Sequence, residues 1–167
     1  AAETFKKGHL NQAINLMHGK KFETWLGSII NPGERFYLNA ANKDILNELI
    51  ARTASIGYES FIEAAFIAIE GTEVMPEMPL AAFKKEPGSF TVVDVTNAGE
   101  AGPIFKHAIH IPLAELRENT GRVPLGKPVV VHCAGGYRSA AGSSILAAAL
   151  GRNTVVYDLG EAVNEFK

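Results

Sequence analysis

A chain of 167 residues with a formal net charge of −2 at pH 7 has no excess of positive charge to bring it to nucleic acid or an anionic membrane surface. Apolar residues make up 47% and charged residues 20%, which excludes a disordered or fibrous chain and fits a globular one; no apolar run reaches the ~18 residues of a membrane span. The single cysteine excludes an intrachain disulfide and any multi-cysteine metal site, and a reducing cytoplasm is its natural setting.

In chain order, the opening AAETFKKGHL lacks the apolar centre of a signal peptide. It starts as if in mid-element and is expected to follow an upstream part of a longer parent chain. Arg35–Asn39 reads as a strand, followed by a helix that stops at Gly57, a strand at Ser60–Ile62 and a short acidic helix starting at Glu63-Ala64-Ala65-Phe66. Two breaker-rich segments, Glu70–Leu80 and Lys84–Ser89, divide a front part (1–83) from a back part (84–167). The back part opens with Phe90–Val95, a β-branched run launched from Pro87-Gly88 that predicts a buried parallel strand. Val129–Val131 predicts a second such strand. Ser139–Leu150 predicts a helix capped by Gly151, Thr154–Tyr157 a third strand and Glu161–Lys167 a short final helix. Strand and helix alternating with short joints define the α/β class, a parallel sheet flanked by helices.

The two parts can be laid over one another. With Ala13 set against Ala108, Arg35–Asn39 falls on Val129–His132, Ala40 near Cys133, and Gly57 on Gly151. The order of elements agrees, so the chain reads as two copies of one α/β unit. The front copy has no counterpart of Thr91–Val95 and is expected to be incomplete at its N-terminus, which leaves a sheet edge to cover.

The chemistry lies in Val131-His132-Cys133-Ala134-Gly135-Gly136-Tyr137-Arg138-Ser139. A cysteine at the C-terminal end of a buried parallel strand sits where α/β folds place ligand sites. Gly135 and Gly136 let the N–H groups from Ala134 through Tyr137 to Arg138 turn inward as an anion nest. The helix start adds its positive end, and Arg138 adds a permanent cation. All three favour the thiolate, which is the nucleophile, and would equally hold the anionic sulfur of a persulfide. A cysteine that merely fills a core has no use for such surroundings. Ser139 is expected to cap the helix and bond the thiolate, and Asp94 to serve as scaffold by bonding the loop backbone. The histidines His9, His18, His107, His110 and His132 show no ligand spacing, so neither a metal nor any other cofactor is expected. His132, at a strand end, reads as structural, with tuning of Cys133 as the alternative, and Trp25 reads as packing.

Cys-x4-Arg-Ser between strand and helix resembles the active-site loop of rhodanese domains. Thr91-Val92-Val93-Asp94-Val95 is similar to that family's opening strand, His107–Pro112 to its Gly-Ala-x-x-Ile-Pro segment, and Asp158–Val163 to the turn before its last helix. These cover Phe90 to Lys167; the front part resembles the family from Gly8-His9-Leu10 onward, with Ala40 in place of the cysteine. The resemblance implies two rhodanese-like units, an inactive front one and an active back one. It further implies a sulfurtransferase that carries sulfane sulfur from thiosulfate or a low-molecular-weight persulfide, through a Cys133 persulfide, to a thiol acceptor. Donor and acceptor are small partners from outside, since no second cysteine can resolve the persulfide. An upstream catalytic domain is a further expected partner, because the pairing resembles the C-terminal part of fusions with a metallo-β-lactamase-like persulfide dioxygenase. Thr96, Ile104 and Glu161-Ala162 depart from the family pattern at scaffold and outer-pocket positions, which bears on donor choice. Two rivals stand beside this reading. A cysteine phosphatase or arsenate reductase has one more residue between Cys and Arg, widening the loop for a tetrahedral oxyanion; a non-catalytic sulfur-carrier or docking module would bind without turnover.

Overall fold

Consecutive valines with no polar alternation require a strand covered on both faces, and this is the situation at the centre of the protein. The structure, a computed structural model, describes residues 2–67, 71–100, 102 and 104–167. Its elements are α1 (Ala2–Lys7), α2 (Phe22–Ile29), β1 (Phe36–Ala40), α3 (Lys43–Ser55), β2 (Ile62–Ile67), α4 (Leu80–Lys85), β3 (Thr91–Asp94), β4 (Ile109–His110), α5 (Leu113–Leu116), β5 (Val129–His132), α6 (Tyr137–Leu150) and β6 (Val156–Asp158). The final segment, Gly160–Phe166, is a 3-10 helix.

Strands β4-β3-β5-β6 form one parallel sheet. Side chains alternate across it: Val93, Val129 and Val131 face the cluster that holds Leu116, Ala141 and Leu146, while Val92 and Val130 face Phe83, Leu159 and Val163. Each wholly buried valine contributes about 1.5–3 kcal/mol over an exposed one. The small residues of α6 let that helix lie close on the sheet; a Cβ at Gly142 would come 3.2 Å from Val95 and 3.3 Å from Val131. On the opposite face Phe83 is fully buried among Phe90, Phe105 and Phe166, with ring centroids 5.3–5.4 Å away. The division expected between residues 83 and 84 therefore falls inside α4.

The front part forms its own two-stranded parallel sheet, β1 beside β2 with α3 between them in sequence. Phe22, Trp25, Leu26, Ile29, Leu38 and Leu49 belong to the same buried cluster as Val131 and Leu146, so front and back share one core. The Asn15 N–H donates to Ser144 Oγ at 2.9 Å, and Arg117 donates to the Ile29 carbonyl at 2.8 Å. Parallel strands flanked by helices are thus found as expected, but a second complete unit is not shown. Glu63–Phe66, expected to start a helix, is strand: Ala64, Ala65 and Phe66 pair with Tyr37, Leu38 and Asn39, and that pairing overrides the helical preference of Glu-Ala-Ala. Gly151 also departs from expectation, since its φ of −60° is right-handed. A Cβ there would meet the Ala147 carbonyl oxygen at 2.4 Å, so space rather than handedness demands glycine. Glu70, the first residue of the expected breaker segment, lies outside the described residues. Among the described residues no helix is long and apolar enough to cross a membrane.

Candidate active site

β5 ends at His132 and α6 begins at Tyr137, so Cys133 opens the turn between them. Its side chain is buried, and the Gly136 N–H donates to Sγ at 3.1 Å. Gly136 adopts φ +92°, and a Cβ on it would come 2.8 Å from both Glu161 N and Gly160 C. Handedness and space both require glycine there. Gly135 is different: it has no positive φ, and a Cβ would meet nothing within 4 Å. Of the amides from Ala134 to Arg138 expected to form a cradle, that of Gly136 reaches the sulfur. α6 directs its N-terminal end at this turn, adding positive potential. Ser139 does not do what was expected of it. Its hydroxyl donates to the Gly136 carbonyl at 3.1 Å, and the helix N-cap, Gly136, has no side-chain cap. Tyr137 lines the same cavity as Cys133 and donates its hydroxyl to the Met17 carbonyl.

Arg138 is held from two sides. Both its terminal nitrogens donate to the Glu100 carboxylate, Nη2 to Oε2 at 2.8 Å, and its guanidinium carbon lies 5.3 Å from the centroid of the Trp25 ring, within cation–π range. The hydrogen bonds to Glu100, and next the facing Cys133, raise the Arg138 pKa against the opposing effect of burial. In return Arg138 holds the Glu100 carboxyl below the usual carboxylate range. The turn carrying Glu100 is fixed by its own bonds: the Asn97 N–H donates to Glu100 Oε1 at 3.2 Å, and the Thr96 N–H to Asp94 Oδ1 at 2.9 Å. Asp94 therefore bonds the loop that follows its own strand and not the cysteine loop.

His132 is fully buried, with its ring edge-on to Phe105 at 4.9 Å and its Nε2 4.0 Å from Asp94 Oδ2. Neither ring nitrogen has a hydrogen-bond partner among the described residues. Burial pushes the imidazole below its ordinary value of 6.5, with Asp94 opposing. The unfolded chain then binds the proton first as pH falls, so this residue's contribution to stability is present above pH 6.5 and is lost as pH drops from there through the folded value. Urea midpoints measured from pH 7.5 down to 5 should fall, and His132→Leu should flatten that fall; an equal slope in the variant would assign the acid lability elsewhere.

A cavity of about 510 Å³ opens over the sulfur, walled by Cys133, Gly135 and Arg138 on one side and by Lys20, Lys21 and Trp25 on the other. Sequence reasoning missed Glu100, Lys20 and Lys21 and took Trp25 for packing alone. No local signal marks them, because each reaches the site across more than 30 residues of chain. Among the described residues the end of β1 in the front part has no comparable turn. Only Ala41 and Asn42 separate Ala40 from α3, and the Asn42 side chain caps that helix by accepting the Ile45 N–H at 3.0 Å.

A parallel sheet whose central strand feeds a cysteine turn into a helix defines an α/β domain with a thiol site at the strand end. The family model described as Rhodanese-like domain matches residues 80–167, and the chain belongs to that family. Among solved structures it is similar to a rhodanese-related protein from Thermoplasma volcanium, with 28% identity over 53% of this chain and 85% of that one and a TM-score of 0.42. An NAD-dependent persulfide reductase from A. fulgidus is 32% identical over 50% of this chain, with a TM-score of 0.36; the match spans only 17% of that enzyme. A full-length protein from Lactobacillus plantarum is 23% identical over 53% of this chain and 77% of its own, at a TM-score of 0.36. No curated protein matches.

Proposed function

We propose that the protein is a sulfurtransferase in which Cys133 carries sulfane sulfur from thiosulfate or a low-molecular-weight persulfide to an external thiol. The observation that carries this reading is the thiol at the floor of a cavity, under the Gly136 N–H and beside a guanidinium fixed in place. In the first step the Cys133 thiolate attacks the outer sulfur of the donor. The Sγ–S bond forms, the donor's S–S bond breaks, and the carrier leaves as a thiolate, or as sulfite when the donor is thiosulfate. In the second step an acceptor thiolate attacks the outer sulfur and takes it, and Cys133 leaves as thiolate; no further oxidant or reductant is needed. The Gly136 amide and the start of α6 stabilise the anionic sulfur at each stage. The front part, with Ala40 where the order of elements would put a nucleophile, takes a structural role in this scheme.

The test is an intact-protein mass spectrum after incubation with thiosulfate and, separately, with glutathione persulfide. A gain of one sulfur, lost on adding cyanide or thiol, is expected. No gain from either donor, with hydrolysis of an aryl phosphate, would replace this reading by phosphatase chemistry. Arg138→Lys should still acquire the sulfur but turn over about 10–100-fold more slowly, because a point charge replaces a two-pronged bond to Glu100 worth about 1.5–3 kcal/mol. Undiminished steady-state transfer to cyanide in that variant would remove Arg138 from the chemistry.

A further inference from the structure

The family match begins at residue 80, yet the cavity over Cys133 takes one wall from Gly19, Lys20, Lys21 and Trp25. That wall is anchored. The Met17 carbonyl accepts the Tyr137 hydroxyl. The Gly19 carbonyl accepts Arg52 Nη2 at 2.7 Å, and Arg52 is itself fixed by Glu23 at 2.7 Å. Gly19 lies flat against the Tyr137 ring, where a Cβ would come 2.9 Å from Cε2. The backbone that carries Lys20 and Lys21 is therefore held at several points while both side chains stay exposed.

The charges around the cavity are unequally engaged. Glu100 is occupied by Arg138, and Glu23 by Arg52. Arg138, paired with Glu100 and backed by Trp25, has its charge already answered. Among the described residues neither lysine is in an ion pair within 4.0 Å, whereas Glu100 and Glu23 are each paired with an arginine. Lys21 acts on Glu100 only through space, so the positive charge at the cavity that no ion pair engages is theirs. The volume of about 510 Å³ lies in the range of small-molecule sites, roughly 300–1,000 Å³. An inorganic anion of a few atoms would leave most of it empty.

We propose that Lys20 and Lys21 form a carboxylate-binding subsite that selects, as sulfur donor, an organic persulfide of tripeptide size carrying free carboxylates. This rests on the sulfur-transfer reading of Cys133. The carrier's carboxylates meet the lysines at the mouth, and its persulfide reaches the thiol at the floor.

The experiment compares glutathione persulfide with the uncharged persulfide of 2-mercaptoethanol as donors to the full chain, with cyanide as acceptor. The ratio of their kcat/KM values should fall roughly tenfold in Lys20→Gln/Lys21→Gln, through KM, as two partly exposed ion pairs are lost. Lys20→Arg/Lys21→Arg should keep the ratio, and added salt should shrink it in the wild type. An unchanged ratio in the glutamine variant, including a parallel loss with both donors, would overturn the subsite. Failure of the sulfur-transfer reading is distinct: neither persulfide would then leave a sulfur on wild-type Cys133 in the mass spectrum.

Discussion

Cys133→Ser should acquire no sulfur from thiosulfate or glutathione persulfide, and its steady-state transfer should fall on the order of 10⁴-fold or more. The argument separates chemistry from packing. The wild-type thiol is 1% exposed and accepts one N–H bond, from Gly136 at 3.1 Å. A serine hydroxyl fits the same space and accepts the same bond, so the fold should persist with a stability change within about 1 kcal/mol. Its oxygen is a far weaker nucleophile toward sulfur at neutral pH and forms no persulfide. Mass spectra and urea midpoints taken on one preparation check both halves. Retained transfer would place the nucleophile elsewhere, whereas loss of fold would show that the residue is held for packing.

Gly136→Ala should be among the most damaging single methyl groups in the back domain. At φ +92° an alanine is strained by about 1–3 kcal/mol. Its Cβ would also sit 2.8 Å from backbone atoms of Gly160 and Glu161, and main chain cannot swing aside as a flexible side chain can. Overpacking of this sort costs a further ~1–3 kcal/mol. The sum, about 2–6 kcal/mol, is a large part of the roughly 5–15 kcal/mol that holds an ordinary domain folded. Relief must come by moving either the turn before β6's following helix or the Gly136 amide, and the second course withdraws the N–H from Cys133. Urea midpoints should therefore fall steeply, with sulfur uptake lost at temperatures where the variant is still folded. Gly135→Ala is the control, since it meets no atom within 4 Å, and its midpoint should shift by less than about 0.5 kcal/mol. Equal midpoints for both variants would remove the steric argument.

What could be read from the sequence was what the chain writes locally. The runs Thr91–Val95 and Val129–Val131 identify themselves because strands buried on two faces need β-branched residues without polar alternation. The turn from Cys133 to Arg138 is contiguous, so its glycines, cation and helix start can be judged together. Failures begin where a residue's role depends on distant chain. Glu63–Phe66 reads as helix until β1 lies alongside it, and Ser139 reads as a cap until the Gly136 carbonyl is seen to take its hydroxyl. Trp25 looks like any buried aromatic, and its second duty, facing Arg138, comes from a contact between residues 113 positions apart. The Glu100 pairing lies between these extremes. It closes a turn with Asn97 three residues before it, a pattern visible locally, but nothing near it in sequence names Arg138 as its partner.

The cavity has one wall in the segment before α2 and its floor after β5, and this has a consequence for the order in which the molecule assembles. β3, β5 and β6 bury their valines within a short stretch of chain, while the Asn15–Ser144 bond must close a loop of 129 residues. Closing the longer loop costs more chain entropy, and the bonds at Asn15, Met17 and Gly19 can form only once it has closed. The wall with Lys20 and Lys21 is thus the last piece to settle. Until it does, the sheet beneath can already be complete, with Cys133 bare to any electrophile in solution.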